Sequence, residues 1–492
     1  MITGHLPILL LIMPLLAAPL CVLLHRDILS WFLALLVFLG VFAGAWALLG
    51  SVLEIEVWRY TIGAWESPWG IELYVDSLNA FVLVIVASIG AASLLFARQS
   101  VASEIAADRT YLFYSALLLN LTGLIGVILT GDAFNLFVFI EISSLSGYAL
   151  ISLGRKRLAL YAAYRYLILG TVGATFILIG VGLLYVVTGT LNLQDIGVRI
   201  ADVSADRTLA TAICFLLIGL SMKLALFPLH VWLPAAYSAA PSVVSVFLAG
   251  TTTKVFIYVL IRYVFDIFGL DTIRGILPLG DILVLLSMLA ILYGSWMAIV
   301  RSSIKSILAY SSVAQIGYMV LGIGLFTRTG LTASILHMFN HALIKSALFM
   351  AAACLIYRLG TDRLEDLRNS SGCMPWTRAA FVLGGFSLIG VPGTVGFLSK
   401  WYLLQATIES GNWPALAVMI IGSLMAVVYF WKIVEAFYFR QPAQDTGEKM
   451  TEAPLMMLAP LWLLILANIY FGIDTDLTLD SITLAVSSLA GL

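Results

Sequence analysis

Long apolar stretches separated by short polar breaks run the whole length of the chain. With roughly 20 apolar residues needed for each crossing, the pattern predicts about fourteen membrane spans: 5–24, 28–50, 75–96, 110–130, 132–153, 160–188, 207–233, 240–268, 279–300, 304–326, 329–357, 376–408, 413–438 and 453–472. The expected fold class is an all-α polytopic membrane protein. Only Gly131 and Asp132 separate spans four and five, which makes them antiparallel neighbours. Residues 51–74 form the first sizeable loop, with Glu54, Glu56, Glu66 and Glu72 against Arg59, and with Trp58, Trp65 and Trp69 suited to a membrane interface. The N-terminus runs straight into LPILLLIMPLLAAPLCVLL without a basic leader, so this stretch is expected to be a retained first span.

Composition narrows the class further. Of 492 residues 62% are hydrophobic and 11% charged, well below the charged share of about a quarter typical of soluble domains. The net charge of −1 and the lack of a basic tail give no sign of a nucleic-acid partner. Cys21, Cys214, Cys354 and Cys373 are scattered without metal-ligand spacing, so neither a metal centre, a disulfide framework nor another bound cofactor is indicated.

Against this background the polar residues inside the spans stand out. In GLSMKLALFPLHVWLPAAY, Lys223 lies deep in span seven and Pro228 and Pro234 follow, breaking the helix just past the lysine. A lysine at the centre of a membrane helix costs roughly 2.5–3.5 kcal/mol, so it is normally paired and functional. Glu141 occupies the middle of span five, with Ser144 on the same helix face. Lys254 follows three threonines in span eight, and Lys305 stands near the start of span ten. In span eleven His337, His341 and Lys345 recur every four residues along one stripe. Lys400 follows Gly390, Pro392, Gly393 and Gly396, which interrupt span twelve.

A carboxylate and an amine held together away from water form a switchable pair, because burial disfavours both charges while proximity restores them. A row of lysines, histidines and hydroxyls can then pass a proton sideways. Structural readings remain open beside this one: Lys254 and Lys305 could pair locally or snorkel, Asp132 could cap span five, and His230 reads as a packing contact. His337 and His341 have the spacing of a zinc pair but lack a third ligand.

The chain also carries an approximate internal repeat. Spans four to eight and nine to thirteen each contain a broken helix in fourth place, carrying Lys223 and Lys400 respectively. Five spans is an odd number, so the copies run in opposite directions. The expected division is 1–109 for spans one to three, 110–268 and 276–438 for the two inverted repeats, and 439–492 for span fourteen and a tail. Broken helices seven and twelve would join two half-channels. One set of loops collects Arg26, Arg98, Arg109, Arg155, Lys156, Arg157, Arg301, Arg358, Arg363, Arg368, Arg378, Arg440 and Lys449. The other holds Arg59, Arg199, Arg207, Arg274 and Arg328. The positive-inside rule makes the first set cytoplasmic and both termini external, in a cell membrane.

The stretches FIEISSLSGYALI, SMKLALFPLHVWLP, IKSILAYSSVAQIGYM, HMFNHALIKSALFM and LIGVPGTVGFLSKWYLL, in this order, resemble the signature regions of a known family. It comprises the antiporter-like subunits shared by Mrp-type multisubunit sodium/proton antiporters, respiratory complex I and membrane-bound hydrogenases, and the similarity is greatest to the D-type Mrp branch. The resemblance implies fourteen spans, inverted repeats and proton translocation. It matches Glu141 and Lys223 to the family's ion pair, Lys254 to the span-eight lysine, His337, His341 and Lys345 to the span-eleven relay, and Lys400 to the terminal lysine. Ala235, Tyr237 and Arg165 depart from residues common in relatives; the first two remove titratable groups near the first break, so an access path using them is not carried over. Lys400 in place of a glutamate argues against one of the respiratory subunits. The chain's end is expected to leave no room for a long lateral helix or for the extra C-terminal spans of the A-type Mrp chain.

The expected function is therefore proton translocation within a hetero-oligomeric monovalent cation (sodium)/proton antiporter. Other membrane subunits and the lipid bilayer are the implied partners. The alternatives are a proton-pumping subunit of a redox complex and a scaffold that no longer conducts.

Overall fold

The computed structural model describes residues 3–203, 207–368, 374–439 and 451–489. Cys373, Arg440 and Lys449 lie outside the described residues. The chain begins with α1 (Leu6–Leu24) and α2 (Asp27–Ile55), followed by α3 (Ser77–Glu104), α4 (Thr110–Leu129), α5 (Ala133–Ser152) and α6 (Arg157–Thr188). Asp76 starts α3 with a capping box: its carboxylate accepts from the Leu78 and Asn79 N–H groups, while the Asn79 side chain accepts from the Asp76 N–H. Asp132 caps α5 by accepting from the Asn135 N–H at 2.7 Å. Burial lifts the Asp132 carboxyl above the usual range, against the pull of the Asn135 and Phe134 N–H groups.

After the short α7 (Leu193–Asp202), span seven is α8 (Arg207–Leu224) and α9 (Trp232–Ala239), and span eight is α10 (Ser242–Gly250) and α11 (Thr252–Ile261), with a π-helical turn over Arg262–Ile267. Next come α12 (Leu270–Ile276), α13 (Leu279–Val300), α14 (Ile304–Gly324), α15 (Arg328–Leu359) and α16 (Leu364–Arg368). Span twelve is α17 (Pro375–Ile389) and α18 (Val395–Glu409); α19 (Trp413–Tyr438), α20 (Leu455–Ile473) and α21 (Asp476–Ser487) complete the chain. Among the described residues thirteen helices are long and apolar enough to cross a membrane. The α17–α18 pair makes the fourteenth span, because its break leaves two halves of 15 residues each. Every residue of α10 and α11 is buried; α3 and α15 pack on α10, and α4, α8 and α14 on α11. Helices α1, α2, α6, α13, α19 and α20 form the rim, with leucine and aromatic side chains facing outward.

Four features differ from the sequence reading. The 51–74 loop contains a two-stranded antiparallel sheet, β1 (Trp58–Thr61) and β2 (Glu72–Val75), paired Trp58 to Val75. Its Glu72 is buried and accepts from the Asn192 amide at 2.6 Å, while Trp65 and Trp69 stay exposed. Arg98 belongs to α3, where it lies over the Trp31 ring. The tail beyond span fourteen folds as α21 and packs on α3 and α15, burying Ile482, Ala485 and Val486. Finally, Arg262 in the π-helical turn, passed over in the sequence, pairs with Asp76 and with Asp266, the latter at 3.2 Å. It also donates to the Tyr258 hydroxyl at 3.3 Å. This buried network ties span eight to the cap of α3.

Candidate functional site: a row of buried amines at broken helices

Span seven breaks as expected. Ala225 takes a positive φ of 60° and the Leu226 N–H reaches back to the Ser221 carbonyl at 2.9 Å, closing α8. The Trp232 indole N–H then donates to the Met222 carbonyl at 2.8 Å. In the last turn of α8, Lys223 donates to Ser144 Oγ at 2.8 Å and to Glu141 Oε1 at 3.3 Å. Lys223 is fully enclosed, whereas Glu141 is not: its side chain is 23% exposed. It shares an outward stripe of α5 with Phe134 and Leu145, both exposed. The expectation of two buried partners therefore holds for the lysine only, because α5 lies at the edge of the chain.

Span twelve breaks at Gly390 and Gly393, whose φ values of 96° and 84° suit glycine. Here the lysine folds back onto the preceding half-helix. Lys400 donates to the terminal carbonyls of α17, Leu388 at 3.2 Å and Ile389 at 2.8 Å, and to Ser423 Oγ at 3.3 Å, with its Nζ over the Tyr318 ring. An ammonium at a helix C-terminus is favoured by the helix dipole. A Cβ at Gly396 would lie 1.8 Å from the Ser387 carbonyl oxygen. Gly396→Ala should therefore force the two half-helices apart and cost about 1–3 kcal/mol or more, read as a lower melting temperature of the purified complex; unchanged melting would refute the close packing.

A third break lies in span eight, where no proline marks it. Thr251, at φ −122° and ψ −62°, separates α10 from α11 inside span eight. The carbonyls beside it are used: Leu248 accepts from the Tyr237 hydroxyl at 3.1 Å, and Ala249 accepts from Lys254 Nζ. Gly250 lets α15 approach, since a Cβ there would meet Ser346 Oγ. The signal in the sequence was Gly250 followed by three threonines, without a proline.

On α15, His337 bonds to Ser399 Oγ and to Gln315 Oε1, each at 2.8 Å. His341 stacks beside it with ring centroids 6.0 Å apart, and neither of its ring nitrogens has a protein hydrogen-bond partner. Lys345 donates to the Leu308 carbonyl at 2.8 Å and to Ser311 Oγ at 2.5 Å. His341 lies within electrostatic reach of Lys254 and Lys345, and His337 of Lys254 and Lys400. These five residues make one buried row. Lys223 stands apart from it behind an aromatic wall, Tyr148, Tyr166, Trp232 and Tyr237, in which Tyr166 and Trp232 stack at 3.9 Å.

Lys305 is also separate. It is buried and donates to the Ala240 carbonyl at 2.5 Å, at the α9–α10 junction. A 280 Å³ cavity opens there on the arginine-rich face. A 350 Å³ cavity lies on the other face beside Asp281, Phe326, Ser410 and Asn412. His230 packs between Phe227 and Tyr293. Among the described residues no group of three or more His, Cys, Asp or Glu is arranged to hold a metal ion.

The family described as NADH:quinone oxidoreductase/Mrp antiporter, transmembrane, matches residues 130–426. The NADH-quinone oxidoreductase N subunit of Desulforudis audaxviator is 38% identical over 98% of both chains. The Na(+)/H(+) antiporter D subunit of Alkalihalophilus pseudofirmus is 30% identical over 84% of this chain and 83% of its own. A chain in the Mrp complex from Dietzia sp. superposes with a TM-score of 0.88 at 26% identity, covering 99% of this chain and 98% of that one.

Proposed function

The chain belongs to the NADH:quinone oxidoreductase/Mrp antiporter transmembrane family, and on that premise we propose that it is the proton-translocating subunit of a multisubunit sodium/proton antiporter. The observation that carries the reading is the enclosed Lys223 ammonium held by Ser144 and Glu141 at a helix break. Proximity to the carboxylate keeps the lysine charged, and a small separation of α5 from α8 lets burial expel the proton. Lys254, His341, Lys345, His337 and Lys400 then relay the proton from one broken helix to the other, and the amines repel charge onward.

The sodium assignment rests on likeness to a chain named for Na(+)/H(+) antiport. The outward stripe of Glu141 with Phe134 and Leu145 supports membrane partners: a carboxylate facing hydrocarbon is costly, and a neighbouring subunit removes that cost. In this reading the arginine-rich face is cytoplasmic, both termini are external, and the repeats 110–268 and 276–438 supply one half-channel each.

A second reading has its own support. The 38% identity to a chain named as an NADH-quinone oxidoreductase component favours a redox-driven complex, in which the same relay is powered by electron transfer in partner chains. An absorption spectrum of the native complex, purified by a tag on this chain in mild detergent, separates the two. A colourless complex of small membrane subunits is the expected result; flavin or iron–sulfur bands at near-stoichiometric levels would replace the antiporter with the redox pump. Undiminished ion-coupled transport in a Glu141→Gln complex would remove the relay from both.

A further inference from the structure

The 280 Å³ cavity on the arginine-rich face lies where four parts of the chain meet: the end of α3, the α5–α6 loop, the α9–α10 junction, and the facing ends of α14 and α15. Two charged side chains hold the junction from opposite sides. Glu104, the last residue of α3, accepts from the Ser242 N–H at 2.9 Å, at the N-terminus of α10. Lys305 donates to the Ala240 carbonyl at 2.5 Å, just past the C-terminus of α9. Each charge has the sign that its helix end favours. The other ionisable groups lining the cavity are Arg155 and Lys156 from the α5–α6 loop, Tyr357 from α15, and Asp362. Ser242 Oγ is buried there without a hydrogen-bond partner.

From Ser242 a polar path runs inward along α10. Ser242, Ser245 and Ala249 fall on one face of that helix. Ser245 Oγ bonds to the Tyr237 carbonyl at 2.7 Å, the Tyr237 hydroxyl bonds to Leu248 O, and Lys254 bonds to Ala249 O. Seven helical residues span about 10 Å, so this polar face of α10 reaches from the cavity to the carbonyl that holds the first amine of the central row. All of α10 is buried, which isolates the path from lipid.

We infer that this cavity is a proton-uptake mouth and that Glu104 is its proton-collecting carboxylate, delivering to Lys254 along the Ser242–Ser245 face of α10. The assignment gives a transport role to α3, which lies outside both five-helix repeats, and it rests on the relay reading above. Glu104 takes a proton from the bath and gives it up inward to Lys254, with the unpartnered Ser242 hydroxyl as the first group on that face able both to accept and to donate. Its bond to the Ser242 N–H holds the path's first hydroxyl beside it.

The test uses the full native complex in liposomes with an entrapped pH dye, varying the pH of each bath separately. Glu104→Gln retains an amide oxygen for the Ser242 N–H, so the junction stays capped, but it cannot titrate. Flux should fall about tenfold when the bath at the arginine-rich face is alkaline and recover as that bath is acidified. Dependence on the opposite bath should be unchanged, and Glu104→Asp should stay near wild type. Wild-type flux in Glu104→Gln at every pH, or a loss by one constant factor at all pH values, would overturn the assignment. Glu141→Gln is measured in parallel. If it transports normally, the relay has failed; if it is silent while Glu104→Gln is normal, only the uptake mouth has failed.

Discussion

Replacing Lys223 with leucine is expected to lower ion-coupled proton flux by about two orders of magnitude while the complex still assembles. The magnitude follows from what the site does for the charge. Holding a lysine charge at mid-membrane costs roughly 2.5–3.5 kcal/mol, and Ser144 and Glu141 offset that cost at 2.8 Å and 3.3 Å. Without the amine no charged state forms there, and a deficit of that size corresponds to about a hundredfold in rate. Assembly should survive because Glu141 is partly exposed, so losing its partner does not strand a fully enclosed charge. Proteoliposome flux and the elution volume of the solubilised complex are the two readouts. A complex of normal size with normal flux would end the pair mechanism and favour a scaffold.

Arg262→Leu should have the largest effect on stability, with little change in the central row. The guanidinium joins Asp76, Asp266 and the Tyr258 hydroxyl in a buried network. Removing one partner of a buried ion pair strands the others and typically costs about 3–5 kcal/mol. The lower half of that range applies here. Asp76 keeps the Leu78 and Asn79 N–H groups, and Asp266 keeps the Gln194 amide at 3.3 Å. The prediction is a large fall in the melting temperature of the detergent-solubilised complex. Asp76→Asn preserves an oxygen for the α3 cap and removes only the charge, so it should lie between wild type and Arg262→Leu. Wild-type melting of Arg262→Leu would show that the network contributes nothing net.

Two of the three helix breaks that position the amines were legible because they carry their own chemistry. Pro228 and Pro234 deny backbone donors, and Gly390 and Gly393 permit the left-handed turn. The break at Thr251 has no such marker. The Tyr237 hydroxyl and the Lys254 ammonium take the Leu248 and Ala249 carbonyls beside it, and the first of these bonds requires spans seven and eight to meet. The same distinction separates Lys305 from the central row: its partner is a carbonyl 65 residues away.

By itself the sequence determined the membrane class, the number of spans, the two marked breaks and the identity of the amines, because hydropathy, backbone restriction and the cost of buried charge act locally along the chain. Only the tertiary structure decided which of those charges share a site. It set Lys223 behind Tyr166 and Trp232, left Glu141 on an outer stripe, brought His337 to Gln315 and Ser399, and joined Arg262 to Asp76 across 186 residues. Such pairings depend on how helices rotate and pack against one another, and hydrophobic periodicity in fully buried helices such as α10 and α11 carries no face to read.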